Sequence, residues 1–222
     1  MKYIFAMGLY RSGTNFLQQL VDNNFEGNNE NIKKYLLEKK LYKHCLHDTW
    51  YNKIPNDVIP IIIFKKPHQW IDSLVRQSYD LELYYDVAYE ENHIPILLKY
   101  CNPKWEEFNT TITCSVEKLC LFYNCYFNYW LNKNPTFIYH GDIAFNYNYY
   151  LANFETKYNL IRKHKDFIGP GEVDGSRPFD NVVKNYYLND KTDNLTSTQL
   201  SVIDSLIDKS IIKKLSEFMD AK

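Results

Sequence analysis

Residues 8 to 16 read Gly-Leu-Tyr-Arg-Ser-Gly-Thr-Asn-Phe. Glycines at positions 8 and 13 bracket a guanidinium, and hydroxyls and a carboxamide follow closely. Groups of these types in a short turn are suited to holding an anion such as phosphate or sulfate. Arg11 supplies a planar positive charge with several donors, and Ser12 and Thr14 supply hydroxyls. The elements that would present them stand on either side. An apolar run before Gly8 has the character of a buried strand. After the loop, Phe16, Leu17, Leu20 and Val21 recur at helical spacing, which puts Asn15, Gln18 and Gln19 on the outward face. A strand turning through a small-residue loop into a helix sets the helix's opening N–H groups, and the positive end of its dipole, beside the loop.

The nucleoside-triphosphate P-loop reads G-x-x-x-x-G-K followed by Ser or Thr, and Gly8 and Gly13 stand at its two glycine positions. Thr14 stands where that loop carries its lysine, and Asn15 where a hydroxyl would hold Mg²⁺. The cation is instead Arg11, ahead of the second glycine, and no metal ligand is evident. This arrangement resembles the loop of the sulfotransferase family: Lys or Arg, then Ser-Gly, two hydroxyl residues, an aromatic and Leu. Arg11-Ser12-Gly13-Thr14-Asn15-Phe16-Leu17 matches it, with Asn15 replacing a hydroxyl by another polar group.

A second segment falls on a second signature of that family. Ile59 to Phe64 (IPIIIF) is a continuous apolar run of the kind buried on both faces of a sheet. It ends in Lys65-Lys66-Pro67, and Trp70, Ile71, Leu74 and Val75 then follow at helical spacing, with Pro67 suited to the first turn. Sulfotransferases carry Arg-x-Pro at such a strand end and a serine on the next helix, which together grip the 3′-phosphate of the sulfate donor. Lys65, Pro67 and Ser73 match at the same spacing; lysine keeps the charge and loses the bidentate fork. A third, looser match is the strand-like run Thr136 to Ile143, where Asp142 and Ile143 fit the family's strand end and His140 and Gly141 do not. Asp142 reads as structural, a cap on the following segment.

The resemblance implies a metal-independent transfer of a sulfuryl group from 3′-phosphoadenosine 5′-phosphosulfate (PAPS) to a hydroxyl or amine on a small-molecule, glycan or peptide acceptor. Arg11 would neutralise the leaving phosphate and the moving group, and Ser12, Gly13, Thr14 and Asn15 would cradle the phosphate. Phe16 takes the place of the family's aromatic against the adenine, although its position on the apolar stripe equally suits core packing. Many members have Lys-His or Lys-x-His between the two phosphate segments, and Leu41 to Asp48 (LYKHCLHD) lies there. His44 is the expected base, with Lys43 assisting at the sulfate; His47, beside Asp48, is the alternative, and other members use a carboxylate. A turn-rich stretch at 169–178 carries Arg177, the candidate for a late loop over the 3′-phosphate, or else a plain surface loop. Two other readings share the first motif: a P-loop kinase for nucleotides or other small molecules, and a non-catalytic adenine-nucleotide binder.

Composition agrees with an enzyme of this size. The 222 residues contain no Pro/Gly/Ser-rich linker, so the expectation is a single domain over 1–222. Its expected architecture is a three-layer α/β/α arrangement around a parallel sheet of four to five strands, like the P-loop-containing NTPases, with the ligand at the strands' carboxyl ends. A formal net charge of -1 gives no global attraction for nucleic acid or an anionic membrane. The five cysteines are odd in number, and four of them (Cys101, Cys114, Cys120, Cys125) lie in or near one helical stretch. They read as buried thiols in a reducing compartment. No apolar run spans a membrane and the N-terminus does not read as a signal peptide, so the expected location is cytoplasmic. Residues 115–131 place Leu119, Phe122, Tyr126 and Trp130 on one helical stripe, read as core. Thr196 to Gln199 form a capping box opening one C-terminal helix through Leu200, Ile203, Ile207, Ile211 and Leu215 toward Phe218. The polar, aromatic-laced segment from Tyr79 to Trp105 is the candidate lining of an acceptor pocket.

Overall fold

Three apolar runs pair as parallel strands in the structure, a computed structural model that describes residues 2–9, 11–27, 34, 52, 54–76, 116–169 and 192–219. They are β1 (Tyr3–Met7), β2 (Val58–Phe64) and β3 (Thr136–Tyr139), in the order β1-β2-β3. Tyr3 lies opposite Val58 and Met7 opposite Ile62, while Ile61 to Phe64 pair with Thr136 to Tyr139. Parallel neighbours require crossover connections. Helix α1 (Thr14–Asn24) follows β1, and α2 (Pro67–Arg76) and α3 (Val116–Leu131) lie between β2 and β3. Beyond β3 come α4 (His140–Phe145), α5 (Tyr147–Tyr158), α6 (Ser197–Leu206) and α7 (Lys209–Ser216).

Alternation along the strands divides the interior into two cores. Tyr3, Phe5, Met7, Val58, Ile62, Phe64, Phe137 and Tyr139 face α2, α3, α6 and α7, whose Trp70, Leu74, Tyr123, Phe127, Ile203 and Leu215 close that side. Ile4, Ala6, Ile61, Ile63 and Ile138 face α1, α4 and α5, with Phe16, Leu17, Val21, Ile143 and Phe154 opposite them. The sheet is therefore covered on both faces, and for that reason β2 reads as an unbroken apolar run rather than an alternating one. Pro60 is tolerated within β2 because β3 begins its pairing only at Ile61, so at Pro60 the strand has a neighbour on the β1 side alone.

Of the expected stripe on α3, Leu119, Tyr126 and Trp130 are core and Phe122 is only partly buried against it, and the buried face is broader. Cys120, Tyr123 and Phe127 are buried as well. Burial, and secondarily Glu117, push the Cys120 thiol up to about 12, which keeps it protonated and unreactive. Among the described residues no helix is long and apolar enough to cross a membrane.

Two expectations are corrected. The C-terminal segment is two helices rather than one. The capping box at Thr196 and Gln199 is present, but the chain is extended at Ile207 and restarts at Asp208, whose side chain accepts from Ser210 N at 2.8 Å. Asn124 of α3 holds the corner: its Nδ2 donates to Leu206 O at 2.8 Å and its Oδ1 accepts from Asp208 N at 2.9 Å. Gln18 does not point to solvent. Its Oε1 accepts from Ala6 N at 3.0 Å and its Nε2 donates to Ile4 O at 3.2 Å, so its amide covers the side of β1 away from β2. Replacing Gln18 by Met keeps the volume and removes both bonds. The expected result is a loss of about 1–2 kcal/mol in urea titration, with faster hydrogen exchange at the Ala6 amide.

Candidate functional site

The carboxyl ends of the three strands bring together Gly8, Leu9 and the turn from Arg11 to Gly13, Lys65 with Lys66, and His140. In open parallel sheets this edge is where ligands bind. The loop is a tight turn in which Ser12 donates twice to the carbonyl of Leu9, from N at 3.1 Å and from Oγ at 2.5 Å. Arg11 (φ 62°) and Gly13 (φ 103°) both adopt left-handed backbone on either side of Ser12. For Arg11 that conformation costs on the order of 1 kcal/mol. A Cβ on Gly8 would lie 2.5 Å from Ser12 Oγ and closer still to the carbonyl oxygen of Ile63; one on Gly13 would collide with the imidazole edge of His140, at Cδ2. Both glycines are thus demanded by the packing of the loop against β2 and His140.

Gly13 is the N-cap of α1 and has no side chain with which to cap it. The first N–H groups of any helix need acceptors from outside it, and an anion at this end is one solution. Arg11 is half-buried, Ser12 and Thr14 are buried, and Asn15 is exposed. Phe16 is in the core, its ring 5.0 Å from that of His140 and tilted by 40°.

Lys65 follows β2 directly and is only 6% exposed. Its carbonyl accepts from the phenol of Tyr123 at 2.9 Å, which fixes the strand end to α3. Lys66 Nζ sits 5.8 Å from the ring centroid of Tyr139, and Tyr139 OH donates to Gln69 Oε1 on α2 at 2.8 Å. Ser73 is fully buried on α2, and its Oγ donates to Trp70 O at 2.7 Å. To donate to a ligand it would have to give up that bond. Asp142 lies in the first turn of α4 rather than at its cap, which is Tyr139. The strand ends earlier than the polar run suggests, and burial first, with the nearby charge of Asp142 second, pushes the phenol of Tyr150 on α5 up. Lys43, His44, His47 and Arg177 lie outside the described residues, as does the segment from Tyr79 to Trp105.

His140 is the residue that the sequence reading passed over. It stands at the third strand end, in the same relation to β3 that Lys65 has to β2, and the signal that marks it is its place directly after a buried apolar run, not the family pattern, which it does not fit. Burial first, and the nearby charge of Lys65 second, hold its imidazole well below the ordinary 6.5. The ring is therefore neutral at physiological pH and adds no charge to the site.

No protein-family model matches the chain, and neither does any curated protein or any solved structure.

The buried imidazole has a consequence for stability. The unfolded chain takes up a proton at His140 near pH 6.5, whereas the folded chain does so only well below it. The folded state then binds fewer protons, so stability falls as pH drops beneath about 6.5 and is unaffected above it. The slope from one such group approaches about 1.4 kcal/mol per pH unit. In urea titrations between about pH 6.5 and 5, His140→Gln should lose that component of the wild-type slope; an unchanged slope would mean that the ring titrates normally in the fold.

Proposed function

We propose that this chain is a metal-independent sulfotransferase with the fold of the P-loop, sulfotransferase-like class, acting in the cytoplasm. It transfers the sulfuryl group of PAPS to a hydroxyl or amine acceptor. The observation that carries the reading is the convergence of three features at the carboxyl ends of two hydrogen-bonded parallel strands. These are the Arg11 loop, an α1 N-terminus capped by glycine, and the buried cation Lys65. Positive charge in a poorly hydrated setting interacts strongly with an anion, and a ligand carrying separate 5′ and 3′ phosphates suits two such centres.

In this reading the loop from Ser12 to Asn15 holds the 5′-phosphosulfate, while Lys65, Ser73 and Arg177 hold the 3′-phosphate. The acceptor's lone pair forms the new bond to sulfur as the bond from sulfur to the bridging oxygen of the 5′-phosphate breaks. 3′-Phosphoadenosine 5′-phosphate leaves with that electron pair. Arg11 stabilises the charge that gathers on the bridging oxygen and the equatorial sulfuryl oxygens. His44 takes the acceptor's proton and Lys43 supports the sulfate, with His47 as the alternative base. The acceleration comes mostly from alignment and electrostatics, so a metal is not needed to share the charge.

The discriminating measurement is thermal stability with 3′-phosphoadenosine 5′-phosphate against ATP. A hundredfold excess over Kd should stabilise the wild-type chain by about 2.7 kcal/mol, with ATP weaker and Mg²⁺ without effect. Arg11→Ala and Lys65→Met should each lower the affinity for the desulfonated donor at least tenfold. Stabilisation by ATP alone, or phosphoryl transfer that EDTA abolishes, would overturn the assignment in favour of a kinase. Donor binding with no transfer after replacement of either histidine would identify the base.

A further inference from the structure

We propose that His140 is a positioning residue for the phosphate loop: its imidazole occupies the space beside Gly13 and fixes where the loop's peptide groups meet an anion. The proposal rests on reading that loop as a phosphate site.

The geometry is specific. The position that a Cβ on Gly13 would take is filled by the ring of His140, with Nε2 2.6 Å from it and Cδ2 closer. The same ring packs against Phe16, 5.0 Å between centroids and tilted by 40°. Gly13 is the N-cap of α1 and Phe16 is its third residue, so one side chain braces the whole opening turn. His140 is itself firmly mounted. It is the first residue of α4 and follows Tyr139, which is paired with Phe64 of β2 and bonded to Gln69 of α2. The ring thereby transmits the position of the sheet to the loop, and a shift of a few tenths of an ångström in it moves the N–H groups that a phosphate would contact.

The ring's charge state suits this role. An imidazolium would face Lys65 and the positive end of α1, with Arg11 in the adjoining loop, against the carboxylate of Asp142 two residues along α4. Burial and Lys65 keep it neutral. Arg11 and Lys65 then set the charge of the site while His140 sets its shape.

The test uses the full chain with two probes, 3′-phosphoadenosine 5′-phosphate and inorganic pyrophosphate, titrated calorimetrically. His140→Ala should weaken both at least tenfold. Gly13→Ala should weaken both in the wild-type background by more than it does in the His140→Ala background, because the collision with the ring is then gone and only the left-handed strain remains. The ring proton signals of His140 in the wild type should shift on saturation with either probe, which burial in the core alone would not produce. Full affinity in His140→Ala, additive losses in the double variant, or unmoved ring signals at saturation would each overturn the proposal. Should His140→Ala fail to fold, His140→Asn and the wild-type ring signals decide the matter by the same criteria. Pyrophosphate binding without nucleotide binding would overturn the donor assignment alone. Binding of neither would overturn both.

Discussion

Everything at the site depends on how closely the loop after β1 lies against its neighbours. Gly8 is pressed onto the carbonyl of Ile63 and the hydroxyl of Ser12, and Gly13 onto the imidazole of His140, with no room for a Cβ at either point. Interiors packed to this density do not deform gradually. The loop therefore takes its shape from two other strands: β2 through Ile63, and β3 through His140. Its left-handed residues follow from the same constraint, since the chain must reverse within a few residues to bring Gly13 onto the ring and start α1. Arg11 inherits its backbone conformation from that reversal, and its place in the site with it.

A layer of buried polar contacts holds the surrounding elements in register with this edge. Tyr123 reaches from α3 to the carbonyl of Lys65, and Tyr139 reaches from β3 to Gln69 on α2. Asp72, fully buried on α2 beside Ser73, accepts from Asn194 N at 2.9 Å and from its Nδ2 at 3.1 Å, which secures the approach to α6. On the other face, Asn24 at the end of α1 donates to Ile168 O and accepts from Ile168 N, both within 2.8 Å. The two tyrosine bonds are buried, so that losing one partner strands the other, while those to Asn194 and Ile168 are part-buried. They specify the arrangement more than they stabilise it.

The strands and the buried faces of α1 and α2 were legible in the sequence because burial writes a simple pattern: unbroken apolar runs for a covered sheet, and a stripe of period near four for a helix. The spacing of Gly8 and Gly13 was legible too, but its cause was not, since Ile63 and His140 are distant in the chain. Periodicity also misled. Ile203, Ile207, Ile211 and Leu215 continue at helical spacing straight through a corner, because both helices bury the same side on α3. The break is set by Asn124, some eighty residues earlier, and only Asp208 marked it locally. Gln18 failed for a related reason: helical spacing assigns a polar residue to solvent and cannot register that a strand's open side lies there.

That last placement bears on association between molecules. A strand with one unpaired side is a template onto which another chain can add, and exposed edges of this kind seed aggregation. On β1 the amide of Gln18 already occupies Ala6 N and Ile4 O, and its Nε2 is tied down by Asp22 Oδ1 at 2.9 Å. An incoming strand would have to displace a side chain held at two points by β1 and at a third by its own helix. The helix that carries the anion loop at one end thus also guards the sheet against intermolecular β-pairing along its flank.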